Sequence, residues 1–175
     1  EAAPGLNSVG EVCSRFGGFR GQGSATGFQS VVIELGGRAA KLNAGPITAA
    51  TGAGLLGPNM ESVNMVNAAD VASSNGISVS TIRHDRQCDY ETLLRVTIMY
   101  EDGERTIAGT LIGGNKPRMV EVQSSAVESD VPQTLLYLRN DDSPGFRGDP
   151  GSLCGQSGWK TATRTLGSRD SGGGA

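Results

Sequence analysis

Histidine, cysteine, aromatic residues and basic clusters are all scarce in this chain, and each scarcity removes a class of function. His84 is the only histidine in 175 residues. Any Ser-His-Asp or Cys-His catalytic set would have to be built on that single side chain and would still need an orienting partner. The cysteines are Cys13, Cys88 and Cys154, odd in number and far apart, so they do not make a disulfide framework. A structural zinc needs four ligands, usually in paired spacing, and no second Cys or His pair exists beside His84 and Cys88. A reducing, cytoplasmic setting is expected.

Basic residues number 15 against 18 acidic ones, a net charge of −3, with no Lys/Arg cluster longer than a pair. A nucleic-acid partner needs a basic face that neutralises phosphates, so none is expected. No apolar run approaches the roughly 18 residues of a membrane span, and no membrane partner is expected either. The N-terminus lacks a charged segment followed by an apolar one. Glu1, standing where Met would begin a chain, points to a fragment or a processed product. Aromatics supply 5% of residues and the whole hydrophobic set 37%, so the core should be modest and partner burial is expected to help complete it.

Glycine is what the chain has in abundance. With 27 Gly and 7 Pro, turns should be frequent. Ser8 and Glu11 form a capping box for a short helix over Val9–Phe16, stopped by Gly17-Gly18. Val31–Leu35 reads as a strand closed by Gly36-Gly37, with Ala39–Asn43 as its hairpin partner. Pro46 should open a helix reaching Gly57, and Ala68–Ala72 a second one ending at Gly76. Ile77–Arg83, Leu93–Tyr100 and Arg105–Ile112 read as strands, with Asp102-Gly103 turning the last two into an antiparallel hairpin. Met119–Val122 is a further strand after the glycine-rich loop Gly113–Pro117. The polar, acidic stretch Gln123–Asp130 reads as linker, followed by a strand at Leu135–Leu138 and a helix from Pro144-Gly145. The tail Ser168–Ala175 is rich in Gly and Ser. The whole is α+β, without internal repeats and with a boundary near residues 123–133.

Four constellations could carry chemistry. Gly52-Ala53-Gly54-Leu55-Leu56-Gly57 matches the dinucleotide fingerprint letter for letter. That fingerprint works only where a strand precedes it and a helix opens from it toward the pyrophosphate. Here a helix precedes it and Pro58 follows, so it reads as a helix-packing segment of small residues. His84 with Asp85, Cys88 and Asp89 reads as part of a solvated hairpin tip over Arg83–Tyr90. Lys116 and Arg118 flank Pro117 beside glycines, whose free amides together with two cations suit a phosphate or a carboxylate. The same two charges equally suit a solubilised strand edge. The corner Asn140–Gly145 offers amide and carboxylate groups beside free helix N–H donors, which suits a small zwitterion as well as plain capping.

Three separated segments, in order, resemble the C-terminal regulatory half of phosphoglycerate dehydrogenases, the first enzymes of serine biosynthesis. They are Val63–Ala68, Gly109–Arg118 and Leu136–Phe146, and the likeness runs from about Val9 to the end. The resemblance implies an N-terminal helix or hinge segment over residues 1–26 and an intervening effector-binding domain over 27–123. A linker over 124–134 and a partial ACT domain over 135–175 would follow. The fold implied is a mixed or antiparallel sheet with short flanking helices, followed by an incomplete ferredoxin-like β-α-β unit. It also implies an anionic effector near Lys116 and Arg118, and an amino-acid effector such as serine at Asn140 and Asp142, with Gly145 letting the helix approach. A third ligand position, usually Asn in the family, carries Lys160 here. Catalytic and NAD-binding domains lie outside the region of resemblance, so no cofactor is expected on this chain although NAD serves the parent. Homo-oligomers are implied as well. A ligand-independent oligomerisation module is the rival reading.

Overall fold

The computed structural model describes residues 27–57, 60, 62–84, 89–101, 103–113 and 116–131. The expected elements at Val9–Phe16, Leu135–Leu138 and Pro144-Gly145 lie outside these, as do Asn140, Asp142 and Gly145.

Strand β1 (Ser30–Gly37) is followed by a single 3-10 turn (Arg38–Lys41) and helix α1 (Ala44–Leu56). Helix α2 (Ala68–Ser74) then leads to β2 (Ser78–His84), β3 (Thr92–Tyr100), β4 (Gly103–Ile112), β5 (Lys116–Val122) and β6 (Ser125–Asp130). The six strands form one mixed sheet in the order β2-β1-β3-β4-β5-β6. β1 and β2 are parallel, as they must be when helices carry the chain back between them, and all other pairs are antiparallel. The fold is α+β, as composition and patterning predict.

Alternation decides which face is covered. Val31, Ile33 and Leu35 on β1 and Leu94, Val96 and Ile98 on β3 are at most 3% exposed, and they pack with Ile47, Ala50 and Leu55 of α1. Residues between them, such as Glu34 and Arg95, point to the opposite, open face. α1 has no charged residue and is capped by Asn43, whose side-chain oxygen accepts from the Gly45 amide at 3.1 Å. Its Thr51 is fully buried and returns its hydroxyl to the Ile47 carbonyl at 2.9 Å, so the helix's one fully buried polar side chain is satisfied.

Three expectations need correcting. Ala39–Asn43 is not a hairpin partner of β1, because β2 and β3 already occupy both edges of that strand. The segment instead turns tightly, buries Ala39 and ends at the α1 cap. Residues 83–90 are not a hairpin tip either. β2 and β3 flank β1 instead of pairing with each other, and Tyr90 and Glu91, just before β3, lie against Gly37 at the end of β1. Finally, the stretch read as linker opens with β6, which pairs with β5 from Val122↔Ser125 to Arg118↔Asp130. The turn between them holds Gln123 and Ser124 at φ 51° and 62°. Such a turn is ordinarily announced by Asn-Gly or Gly-Gly, and Gln-Ser carries no such signal.

Candidate functional site

Register places the charged residues of the open face in rows across the strands. One row runs Glu34 (β1), Arg95 (β3), Ala108 (β4), Glu121 (β5). Ala108 is the smallest side chain in the row and is fully buried, since Arg95 reaches across it. The guanidinium donates from Nη2 to Glu121 Oε2 at 2.6 Å and from Nη1 to Glu34 Oε2 at 3.2 Å. His84, at the end of β2, adds its Nε2 at 3.8 Å from the other Glu34 oxygen. Burial works against the charge on Arg95, but the bonds and fields of Glu121 and Glu34 outweigh it and hold its pKa above the ordinary value.

This row gives a direct test. Arg95→Met keeps the stem over Ala108 but leaves two carboxylates without their cation. With the three side chains about a quarter to a third exposed, solvent screening limits the loss to about 1–2 kcal/mol in urea unfolding. Because the penalty is electrostatic, the gap between variant and wild type should narrow in high salt. A gap indifferent to salt would assign the effect to packing.

The adjacent row runs Thr110 (β4), Arg118 (β5), Asp130 (β6). Lys116 and Arg118, expected in a glycine-rich loop, stand in β5 itself, two residues apart and therefore on one face, with Lys116 opposite Ile112. Lys116 is exposed. Arg118 donates to Asp130 Oδ1 at 2.5 Å and lies 3.6 Å from Glu128 Oε1. The Asp130 hydrogen bond is the chief cause that raises its pKa. Both partner carboxylates are largely exposed, at 87% for Asp130 and 74% for Glu128. Nε of Arg118, like that of Arg95, is buried and meets no partner among the described residues.

The glycine fingerprint falls inside α1 and its C-cap, with no strand before it. Gly52 is buried there, and a Cβ on it would come within 3.2 Å of Ala68 Cβ, so it serves the approach of α1 to α2. The segment Val63–Ala68 is a turn leading into α2, braced by its asparagine side chains. Asn64 Oδ1 accepts from the Val66 amide at 2.8 Å, and Asn67 Oδ1 accepts from the Asn64 amide at 2.8 Å. Glu34, Arg95 and Glu121 were not singled out by sequence, because they converge only once strand order and register are known. Among the described residues no group of three or more His, Cys, Asp or Glu could hold a metal ion. No helix among them is long and apolar enough to cross a membrane. A crevice between α1, α2 and β1/β2 is lined by apolar side chains including Phe28, Leu55 and Ile77, and holds about one water at most.

Comparison with known proteins gives this geometry its context. The D-3-phosphoglycerate dehydrogenase intervening domain matches residues 6–123. The D-3-phosphoglycerate dehydrogenase of Bacillus subtilis is 29% identical over 164 residues, covering 93% of this chain and 31% of that protein. The enzymes of the same name from Synechocystis and Archaeoglobus fulgidus are 29% and 28% identical over 126 and 130 residues, 23% and 24% of their lengths. The chain thus spans less than a third of the length of each of these relatives. With its residues matched from 6 to 123, the chain belongs to the family of the D-3-phosphoglycerate dehydrogenase intervening domain.

Proposed function

We propose that this chain is the non-catalytic regulatory region of a phosphoglycerate dehydrogenase-like enzyme of L-serine biosynthesis. Its parent would oxidise 3-phosphoglycerate with NAD, while this region binds a small anionic effector and takes part in subunit contacts. The observation that carries the reading is that Lys116 and Arg118 share the open face of β5. A guanidinium and an ammonium at that spacing can close on one phosphate or carboxylate. The present partners of Arg118 are exposed carboxylates, and exposed ion pairs contribute little. A doubly charged anion therefore competes with Asp130 on favourable terms.

The match to the Bacillus relative is too long to end with the intervening domain. It supports reading residues 135–175 as the opening β-α-β of an ACT domain. Asn140 and Asp142 would there bind an amino-acid effector, with Gly145 allowing close approach.

Titration calorimetry with inorganic phosphate and 3-phosphoglycerate tests the effector reading. Wild type should give saturable heat that Arg118→Ala abolishes, with circular dichroism unchanged. Asp130→Asn removes the internal competitor and should tighten binding by about twofold to fivefold. Heat that survives Arg118→Ala, or none in wild type, overturns the assignment. The second reading, a ligand-blind oligomerisation module, is favoured by the unprotected edge of β2.

A further inference from the structure

The two edges of the sheet are built differently. β6 carries exposed Glu128 and Asp130, and the β4–β6 ladders are broken by register shifts at Ala108/Gly109 and Met119/Glu121. Charge and bulges of this kind keep an edge from pairing with another chain. β2 has neither. Its seven residues, Ser-Val-Ser-Thr-Ile-Arg-His, include no proline, glycine or acid, and they pair with β1 in one unbroken register. Ile82 beside this edge is 41% exposed.

The direction of the free amides follows from one bond. The Ser78 amide donates to the Gln29 carbonyl at 3.0 Å, toward β1. Successive residues alternate, so Ser80, Ile82 and His84 also serve β1, whereas Val79, Thr81 and Arg83 turn their N–H and C=O groups outward. Among the described residues no backbone group pairs with the main chain of those three, although the Thr81 hydroxyl meets that of Thr48 and Arg83 reaches the Leu42 carbonyl.

We infer that β2 is an interface between two copies of this chain, joined antiparallel about a twofold axis at Thr81. This is the twofold register that pairs all three outward residues of β2 among themselves while keeping like charges apart. It sets Thr81 opposite Thr81 and Val79 opposite Arg83 of the second copy, so outward residues meet outward residues and each pair exchanges two backbone bonds. A twofold between residues sets outward groups against groups already bonded to β1. One at Ser80 sets Arg83 opposite Ile77, whose amide already bonds the Ala72 carbonyl, and one at Ile82 leaves Val79 opposite a position beyond the strand. A twofold at Arg83 sets like charges face to face, and one at Val79 runs the pairing into the end of α2. With the axis at Thr81 the two Arg83 side chains stand about 14 Å apart along the strands, beyond the Debye length of roughly 8 Å. The join would make the two sheets continuous.

This inference rests on the subunit-contact half of the proposed function and leaves the anion site untouched. A strand edge alone covers less than the roughly 1,200 Å² of a standard interface, so association should be concentration-dependent. Light scattering on the full chain, from about 10 µM to 1 mM, should show a monomer–dimer equilibrium. Amide exchange read by NMR should then slow at Val79, Thr81 and Arg83 as concentration rises. The double variant Ser80→Lys with Ile82→Lys alters two exposed positions and sets lysines opposite each other across the twofold. It should weaken the dimer about tenfold with circular dichroism and anion heat unchanged. A dimer that tolerates the lysines and leaves those three amides fast-exchanging overturns the β2 interface while keeping subunit contacts elsewhere. A monomer throughout overturns both, and the calorimetry still stands on its own.

Discussion

Ile33→Ala should be the most damaging truncation in the sheet, lowering the unfolding free energy by about 3–4 kcal/mol. Ile33 is fully buried at the middle of β1, opposite Val96 on β3 and Thr81 on β2, and belongs to the cluster that includes Ile47 and Ala50 of α1. The loss has two parts: the transfer energy of the missing carbons and the cavity they leave. The cavity would persist here, because strands bonded on both edges cannot close around it. For a domain of this size the melting temperature should fall by about 12 °C or more. Ile33→Val removes one methyl and should cost only about 1 kcal/mol. Paired urea unfolding curves check this. Equal losses for the two variants would show that β1 can shift to fill the space and that the core is not set by the sheet.

Ile33 also shows how far sequence carries the fold. The alternation of Val31, Ile33 and Leu35 announces a strand with one buried face, and the runs at 77–83, 93–100, 105–112 and 119–122 announce four more, within two residues of their bounds except at the start of β5, which lies three residues earlier. These are local signals of period two, and local signals are legible. Strand order is not local. Nothing in residues 83–90 says that β1 lies between β2 and β3, which is why the connection reads as a hairpin. β6 was hidden for a different reason, since Ser125–Asp130 is polar and its turn lacks glycine.

The same division holds at the candidate site. Lys116 and Arg118 stand out because their motif is contiguous, and the structure adds that the pair shares a face. Asp130 and Glu128, which occupy Arg118, lie on a strand that sequence reads as linker. The Arg95 row draws on three strands separated by 61 and 26 residues, a convergence no spacing rule detects. The decoy fingerprint behaves in the opposite way. Its letters are local, but its meaning depended on the element before it, and that element was readable as helix.

Gly37→Ala should destabilise by roughly 3 kcal/mol, although it adds a single methyl to the end of a strand paired on both sides. Gly37 sits at φ 58°, ψ −132°, a region that side-chain-bearing residues avoid. Space is a second obstacle. A Cβ there would overlap the Glu91 carbonyl oxygen and lie 3.0 Å from its carbon and 3.1 Å from the Tyr90 oxygen. All three are backbone atoms, so no rotamer change makes room. The Arg38 amide also holds the Glu91 carbonyl at 2.8 Å, and the Arg38–Glu91 ion pair at 3.1 Å ties the same segments. The chain must therefore pull Tyr90 and Glu91 away from the end of β1, just before it enters β3. Gly76 separates the two causes, because it has φ 72° with nothing within 4 Å of a built Cβ. Gly76→Ala should cost only the conformational part, about 1 kcal/mol. If both alanines cost the same in urea unfolding, the crowding at Gly37 is relieved cheaply and the contact of Tyr90 and Glu91 with β1 is softer than its distances imply.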